Sequence, residues 1–241
     1  MASWQEERVK ALPDPPAKIG QRAFLHRLVI DYLDQICKDH QIVIKERKYS
    51  VVRPSSVAEV RAIWITEILT PGKKANHVFC WKNSYDKSVA LALCAGLQLV
   101  ESKTILITGE YYEVARRMAK NKTLDELRWF LREAISNMTV RSNALADYLF
   151  ALAKIPLNEF DLKVILFDLI VRKIIMPKQF FAAYEAMKAL KQPPTLCRLY
   201  LAFAGLLKDQ SALSLTKRSG ALFKYIAEHS MERPPWWKKE K

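Results

Sequence analysis

The residues of this chain best suited to chemistry are its cations. Arg47, Lys48 and Arg53 fall in the first quarter, and Lys73 and Lys74 follow in a Pro-Gly-Lys-Lys turn. Arg116, Arg117, Lys120 and Lys122 lie near the middle, Arg128, Arg132 and Arg141 soon after, and Arg172, Lys173 and Lys178 complete the series. Such side chains hold phosphate by charge and released counterions. Tyr111, Tyr112 and Trp129, interleaved with them, have faces on which bases can stack, although aromatics at these spacings also build cores. Each cluster taken singly is what a solvated face looks like, but acids do not balance them. Lys and Arg number 39 against 25 Asp and Glu, a formal charge of +14 over 241 residues. That excess favours polyanionic partners, nucleic acid first and anionic membrane second.

Catalytic sets are absent from the pattern. No G-x-x-x-x-G-K-[ST], G-x-G-x-x-G or G-x-S-x-G occurs, and six glycines are few for building such loops. Cys37, Cys80, Cys94 and Cys197 are scattered among apolar neighbours, which describes buried thiols of a reducing compartment. With no C-x-x-C, and His26, His40, His77 and His229 equally dispersed, neither a metal site nor a cofactor is expected. The first residues lack the basic-then-apolar form of a signal peptide, so a cytoplasmic location is expected. The expectation is a protein that is not an enzyme.

The elements that must position the cations read as arm, lobe, lobe, arm. Residues 1–20, with Pro13, Pro15 and Pro16, read as an extended N-terminal arm. Residues 21–122 read as a mixed α/β lobe. It opens with an amphipathic helix from Gln21 to His40, on Phe24, Leu25, Leu28, Val29, Tyr32, Leu33 and Ile36. Ile42–Ile44 and Tyr49–Val52 are β-branched runs suited to a hairpin. Ser56 and Glu59 form a possible capping box for a helix through Leu69, although Ile63, Trp64 and Ile65 also suit a strand returning at His77–Trp81. Helices are expected from Ser84 or Asp86 to Leu99 and from Glu110 to Lys120, with a strand at Thr104–Thr108 between them. Residues 123–230 read as an all-helical lobe: Thr123–Ser136, Ser142–Lys154, Asn158–Lys173, Pro177–Lys191, Thr195–Lys208 and Ser211–His229, the last soft at Ser219-Gly220. Asn158–Lys173 has almost no polar side, so it is expected to be the buried core helix. At about four turns, and carrying Asp161, Lys163 and Asp168, it is too short and too charged to span a bilayer, which needs roughly 20 apolar residues. Residues 231–241 form a C-terminal arm carrying Trp236 and Trp237. The overall expectation is a mainly α protein.

Two resemblances bear on function. Ala90–Met118, with Ala95-Gly96-Leu97 on a helix before the strand Thr104–Thr108, resembles the middle of a ribonuclease H-type fold, and Arg141, Asn143, Ala146, Asp147 and Leu149 resemble its closing helix. Two-metal cleavage needs converging carboxylates, and Val89 and Gly109 stand where that pattern wants acids. Met176-Pro177-x-x-Phe180, the helix after Thr195, Leu207-Lys208-Asp209 and Leu213-x-Leu-Thr-Lys217-Arg218-x-Gly220-Ala-Leu-Phe223 resemble the closing helices of orthobunyavirus-type nucleoproteins. That resemblance implies a two-lobed basic protein that packs single-stranded RNA in an interlobe groove and exchanges its arms, with Trp4, Trp236 and Trp237 as anchors for homo-oligomerisation, in cytoplasm or virion. The leading expectation is RNA coating. The alternatives are a helical adaptor or matrix-like protein binding acidic partners or anionic membrane, and a degenerate ribonuclease H-like nucleic-acid binder.

Overall fold

The computed structural model describes residues 4–13, 24–52, 58–72, 74–85, 89–114, 123–190 and 194–230. Helix α1 (Trp4–Lys10) and helix α2 (His26–Asp39) precede strands β1 (Ile44–Val52), β2 (Glu59–Leu69), β3 (Ala75–Ser84), β4 (Ala92–Leu99), β5 (Ile105–Ile107) and β6 (Tyr112–Glu113). Helices α3 (Leu124–Leu152), α4 (Glu159–Val171), α5 (Phe180–Lys188), α6 (Leu196–Gly205) and α7 (Ala212–His229) follow. The strands form one antiparallel sheet in the order β1-β2-β3-β4-β5, with β6 sharing the β4 edge beside β5. The protein is about 53% helix and 23% strand, so it is mixed α/β and the expectation of a mainly α fold is overturned.

Both faces of this sheet are buried, and that explains the misreadings. On one face Trp64, Phe79, Trp81, Leu93 and Ala95 pack against α1, α2 and the first half of α3. On the other, Ile63, Ile65, Val78, Cys80 and Cys94 pack against the C-terminal helices. A strand covered on both sides shows no alternation and reads as a continuous apolar run, which periodicity cannot separate from a buried helix. Thus the helix expected through Leu69 is β2, and the one expected to end at Leu99 is β4, including Ala95-Gly96-Leu97 of the ribonuclease H-like pattern. The helix expected from Glu110 does not begin there, Tyr112–Glu113 being β6; Val114 is helical, and residues 115–122 lie outside the described residues. The Pro71-Gly72 turn does join β2 to β3, with Gly72 at φ 82°.

Helix starts follow their signals. Thr123 and Glu126 form a reciprocal capping box, as do Asn158 and Asp161, while Thr195 and Ser211 cap α6 and α7. Two helices expected between Thr123 and Lys154 are one. Its 29 residues span roughly 43 Å, so Leu127, Leu131 and Met138 serve one core while Leu145, Tyr148 and Leu152 serve the other. The segment expected as an N-terminal extended arm contains α1, whose buried Glu6 and Val9 face α2 and β1. Helix α4 is not a core helix. Leu162, Ile165, Leu166 and Leu169 face inward, but Phe160, Val164, Phe167 and Val171 are exposed.

Helix α7 crosses the second face from β1 to β5. The Leu213 N–H donates to Ser50 Oγ (3.2 Å), and the Ile107 N–H donates to Ser219 Oγ (2.9 Å). The Ser219-Gly220 point does not break the helix. It is where α7 meets the chain after β5: a Cβ on Gly220 would lie 2.9 Å from the Gly109 Cα, and Gly109 itself has φ 71°. Gly220→Ala should therefore push α7 off the sheet and destabilise the fold by about 2 kcal/mol, read as a lowered denaturation midpoint.

At the opposite end of the sheet, His26 fastens α2 down. Asn83 Nδ2 donates to Phe24 O (2.7 Å) and to His26 Nδ1 (3.0 Å), His26 Nε2 donates to Ala58 O (3.1 Å), and the imidazole stacks on Tyr85. A second ring proton would face the Asn83 amide. Burial lowers the His26 pKa to about 4, against the partial support of the Ala58 carbonyl. The unfolded chain, titrating near 6.5, then binds the proton first as pH falls. The contribution is complete above about pH 6.5 and is lost toward pH 4. Urea unfolding should show about 2 kcal/mol less stability at about pH 5 than at about pH 7.5, and His26→Gln should flatten that difference.

Candidate nucleic-acid interface

A cleft of about 590 Å³ opens where the second face of the sheet meets the C-terminal helices. Its floor comes from Lys48, Ile65, Asn76 and Gln98, and its walls from Lys45, Glu46, the β4–β5 turn at Ser102 and Lys103, and Lys208 and Asp209 after α6. The sheet is irregular here, which keeps the site open. An extra residue, Lys45, bulges from β1 between Ile44 and Glu46, and the β2–β3 register shifts between Ile65 and Leu69. Lys103 holds φ 57°, its N–H donating to Leu99 O (3.0 Å).

The floor carries the polar information. Asn76 and Gln98 are directly opposite one another in the β3–β4 register, and both are buried. Asn76 is 1% exposed, and its Oδ1 has no hydrogen-bond partner among the described residues. A buried acceptor left so costs about 1–3 kcal/mol, which a bound donor would recover. Around the amides stand four lysines and two carboxylates, Lys48 being 3.4 Å from Glu46. Among the described residues, Lys45, Lys103 and Lys208 have no ion-pair partner. The arrangement offers cations for phosphate and an amide pair for a hydrogen-bonding edge.

A second, smaller hollow of about 310 Å³ is lined by Asp125, Arg128, Trp129 and Arg132 at the start of α3. Arg128 and Arg132 converge on Asp39 of α2 at 3.5 and 3.1 Å. Trp129 between them is 59% exposed, its ring meeting Phe130 edge-on. An exposed indole flanked by arginines is a stacking platform.

The expected cations that lie among the described residues are not gathered into one groove. Lys48 lies in the cleft, and Lys74 stands nearby at the β2–β3 turn, 5.9 Å from the Phe150 ring. Arg128 and Arg132 form the platform, and Arg141 is half-buried farther along α3. Arg172 meets Glu228 at 3.2 Å and covers Tyr225, while Lys173 and Lys178 are exposed at the far end of α4. Arg47 faces away from the cleft, because neighbouring strand residues point to opposite faces. Its guanidinium donates to Glu6 (2.7 Å) and Asp34 and lies 4.5 Å over Trp64. Burial raises the Asp34 carboxyl and Arg47 pulls it back. Arg53, Lys73, Arg116, Arg117, Lys120, Lys122, Trp236, Trp237 and the Trp4 side chain lie outside the described residues.

Of the three aromatics expected to stack, only Trp129 is free to do so. Tyr112 is buried, and Tyr111 is half-buried beneath the Lys82 ammonium, 3.9 Å away. Desolvation lowers the Lys82 pKa, and neighbouring Arg61 adds to the effect. Sequence reasoning missed Lys45, Lys103, Lys208, Asn76 and Gln98. The local signal was slight: Gln98 stands in the otherwise apolar β4, but β3 carries Asn83, His77 and Lys82 besides Asn76. Asp147 is exposed on α3, and among the described residues no three His, Cys, Asp or Glu side chains are grouped to hold a metal ion. No described helix is long and apolar enough to cross a membrane.

Comparison with known proteins finds no matching family model, no matching curated protein and no matching solved structure.

Arg47 should behave as a structural residue. Arg47→Ala removes the shared partner of buried Glu6 and Asp34 and should lower stability by about 3 kcal/mol, measured by urea denaturation. Nucleic-acid affinity per folded molecule should stay unchanged.

Proposed function

We propose that this chain is a non-enzymatic protein that binds single-stranded RNA with little sequence preference. The supporting observation is the cleft, where lysines from β1, the β4–β5 turn and the α6–α7 turn surround the buried pair Asn76 and Gln98. Lys48, Lys103 and Lys208 carry the backbone phosphates. A base entering between them meets the amide floor, where Asn and Gln can serve both donors and acceptors. The net charge of +14 draws the polyanion in from a distance. Trp129, on the other side of the sheet, supplies a sequence-tolerant stacking surface for a strand that wraps round the particle. Self-association through the terminal arms and a cytoplasmic setting belong to the same proposal.

Fluorescence anisotropy with a labelled single-stranded RNA over a range of salt tests it. Each phosphate contact on a single strand contributes about 0.7 to the slope of log affinity on log salt. The triple variant K48Q/K103Q/K208Q should reduce that slope by about 2, and Trp129→Ala should weaken binding at every salt by about tenfold. Wild-type affinity and slope in both variants would refute the proposal. If the protein floats with anionic vesicles and ignores RNA, the adaptor or matrix-like reading replaces it.

A further inference from the structure

Helix α4 presents a face that none of the described residues covers. Phe160 is 74% exposed, Phe167 68%, and Val164 and Val171 lie between and beyond them. The spacings are four, three and four residues, the pattern of an a/d seam over about two heptads. The inward residues, Leu162, Ile165, Leu166 and Leu169, already fill the second core, so the outward seam is surplus to the fold. Phe181, 78% exposed on adjacent α5, widens the face. Aromatic side chains bury roughly 150 to 250 Å² each, so the whole face approaches the roughly 800 Å² per partner of a standard interface.

Charge identifies the occupant. Acidic Glu159 and Asp161 stand at the start of α4, and basic Arg172 and Lys173 at its end. We infer that α4 pairs antiparallel with α4 of a second copy of this chain about a two-fold axis. Phe160 then meets Val171 of the other copy, Val164 meets Phe167, and Glu159 of each copy lies against Arg172 and Lys173 of the other. The helix dipoles also oppose favourably. A parallel pairing would set acid on acid and base on base. The intrachain pairs that α4 already makes, Glu159 with Lys163 and Arg172 with Glu228, are exposed and weak enough to be shared. A two-fold interface needs one self-complementary patch, and this face is one. The inference is independent of RNA binding.

Light scattering on the full chain, nuclease-treated and in high salt, is the test. A mass twice the 27.8 kDa of the chain is expected at high concentration, falling toward a single chain on dilution. Phe167→Glu, at an exposed position, should give a monomer with unchanged far-UV circular dichroism and, at dilutions where the wild type is also a single chain, an unchanged thermal midpoint. After return of the nuclease-treated protein to low salt, Glu159→Lys and Lys173→Glu should each weaken the dimer about tenfold, and mixing the two variants should restore it. A wild-type monomer at all concentrations would overturn the inference, as would a dimer indifferent to Phe167→Glu. Deleting residues 231–241 should leave the dimer intact. A monomer that dimerises only after that deletion would show that the C-terminal segment is the occupant instead.

Discussion

Burial of both faces of an antiparallel sheet is the constraint on which the rest of the structure depends. Antiparallel sheets commonly leave one face to water. Here β2, β3 and β4 are buried along most of their length on both faces, so two separate layers of helix are required. The chain supplies one layer from each side of the sheet in sequence and joins them with α3, long enough to serve both cores. Close approach of helix to strand is managed by small residues. Ser142 Oγ donates to the Gly96 carbonyl, while Ser50 and Ser219 accept backbone N–H groups of α7 and β5. Three buried or half-buried hydroxyls thus satisfy backbone groups where larger side chains would hold the layers apart.

How much of this was legible depended on whether the signal was local. Caps are local, and Thr123, Asn158, Thr195 and Ser211 each start the helix expected of them. Alternation is a signal of unequal faces, and where the faces are equally buried it vanishes. That is why β4, with Ala92, Cys94 and Gly96 as apolar as Leu93, Ala95 and Leu97, read as a helix. Helix α4 failed in the opposite sense. An all-round apolar helix is ordinarily buried all round, but the rule takes for granted that every apolar side is used by the same chain. Phe160 and Phe167 lie on a side that none of the described residues covers.

The site was harder to see because it is made by register. Nothing along the chain relates Asn76 to Gln98. Only the β3–β4 pairing sets them side by side, and only the turn after α6 brings Lys208 over them. The expected groove assumed that basic clusters at the boundary of two lobes would line it. The strand period instead sends Arg47 to one face and Lys48 to the other. Charge composition is silent on which cations stand together, and the fold decides that.

The cleft and the α4 seam divide the surface without competing. No residue lining the cleft comes from α4 or α5, so antiparallel pairing of α4 would leave both clefts of a dimer open. Two weak, mainly electrostatic sites on one particle bind a long polyanion as a linked pair, the second contact being effectively intramolecular. Such linkage raises avidity by about 10² to 10⁴ without any new contact, provided that one strand can span both sites. Under the proposed reading, two such clefts on one particle would hold a single strand more firmly than either alone while keeping each contact individually reversible.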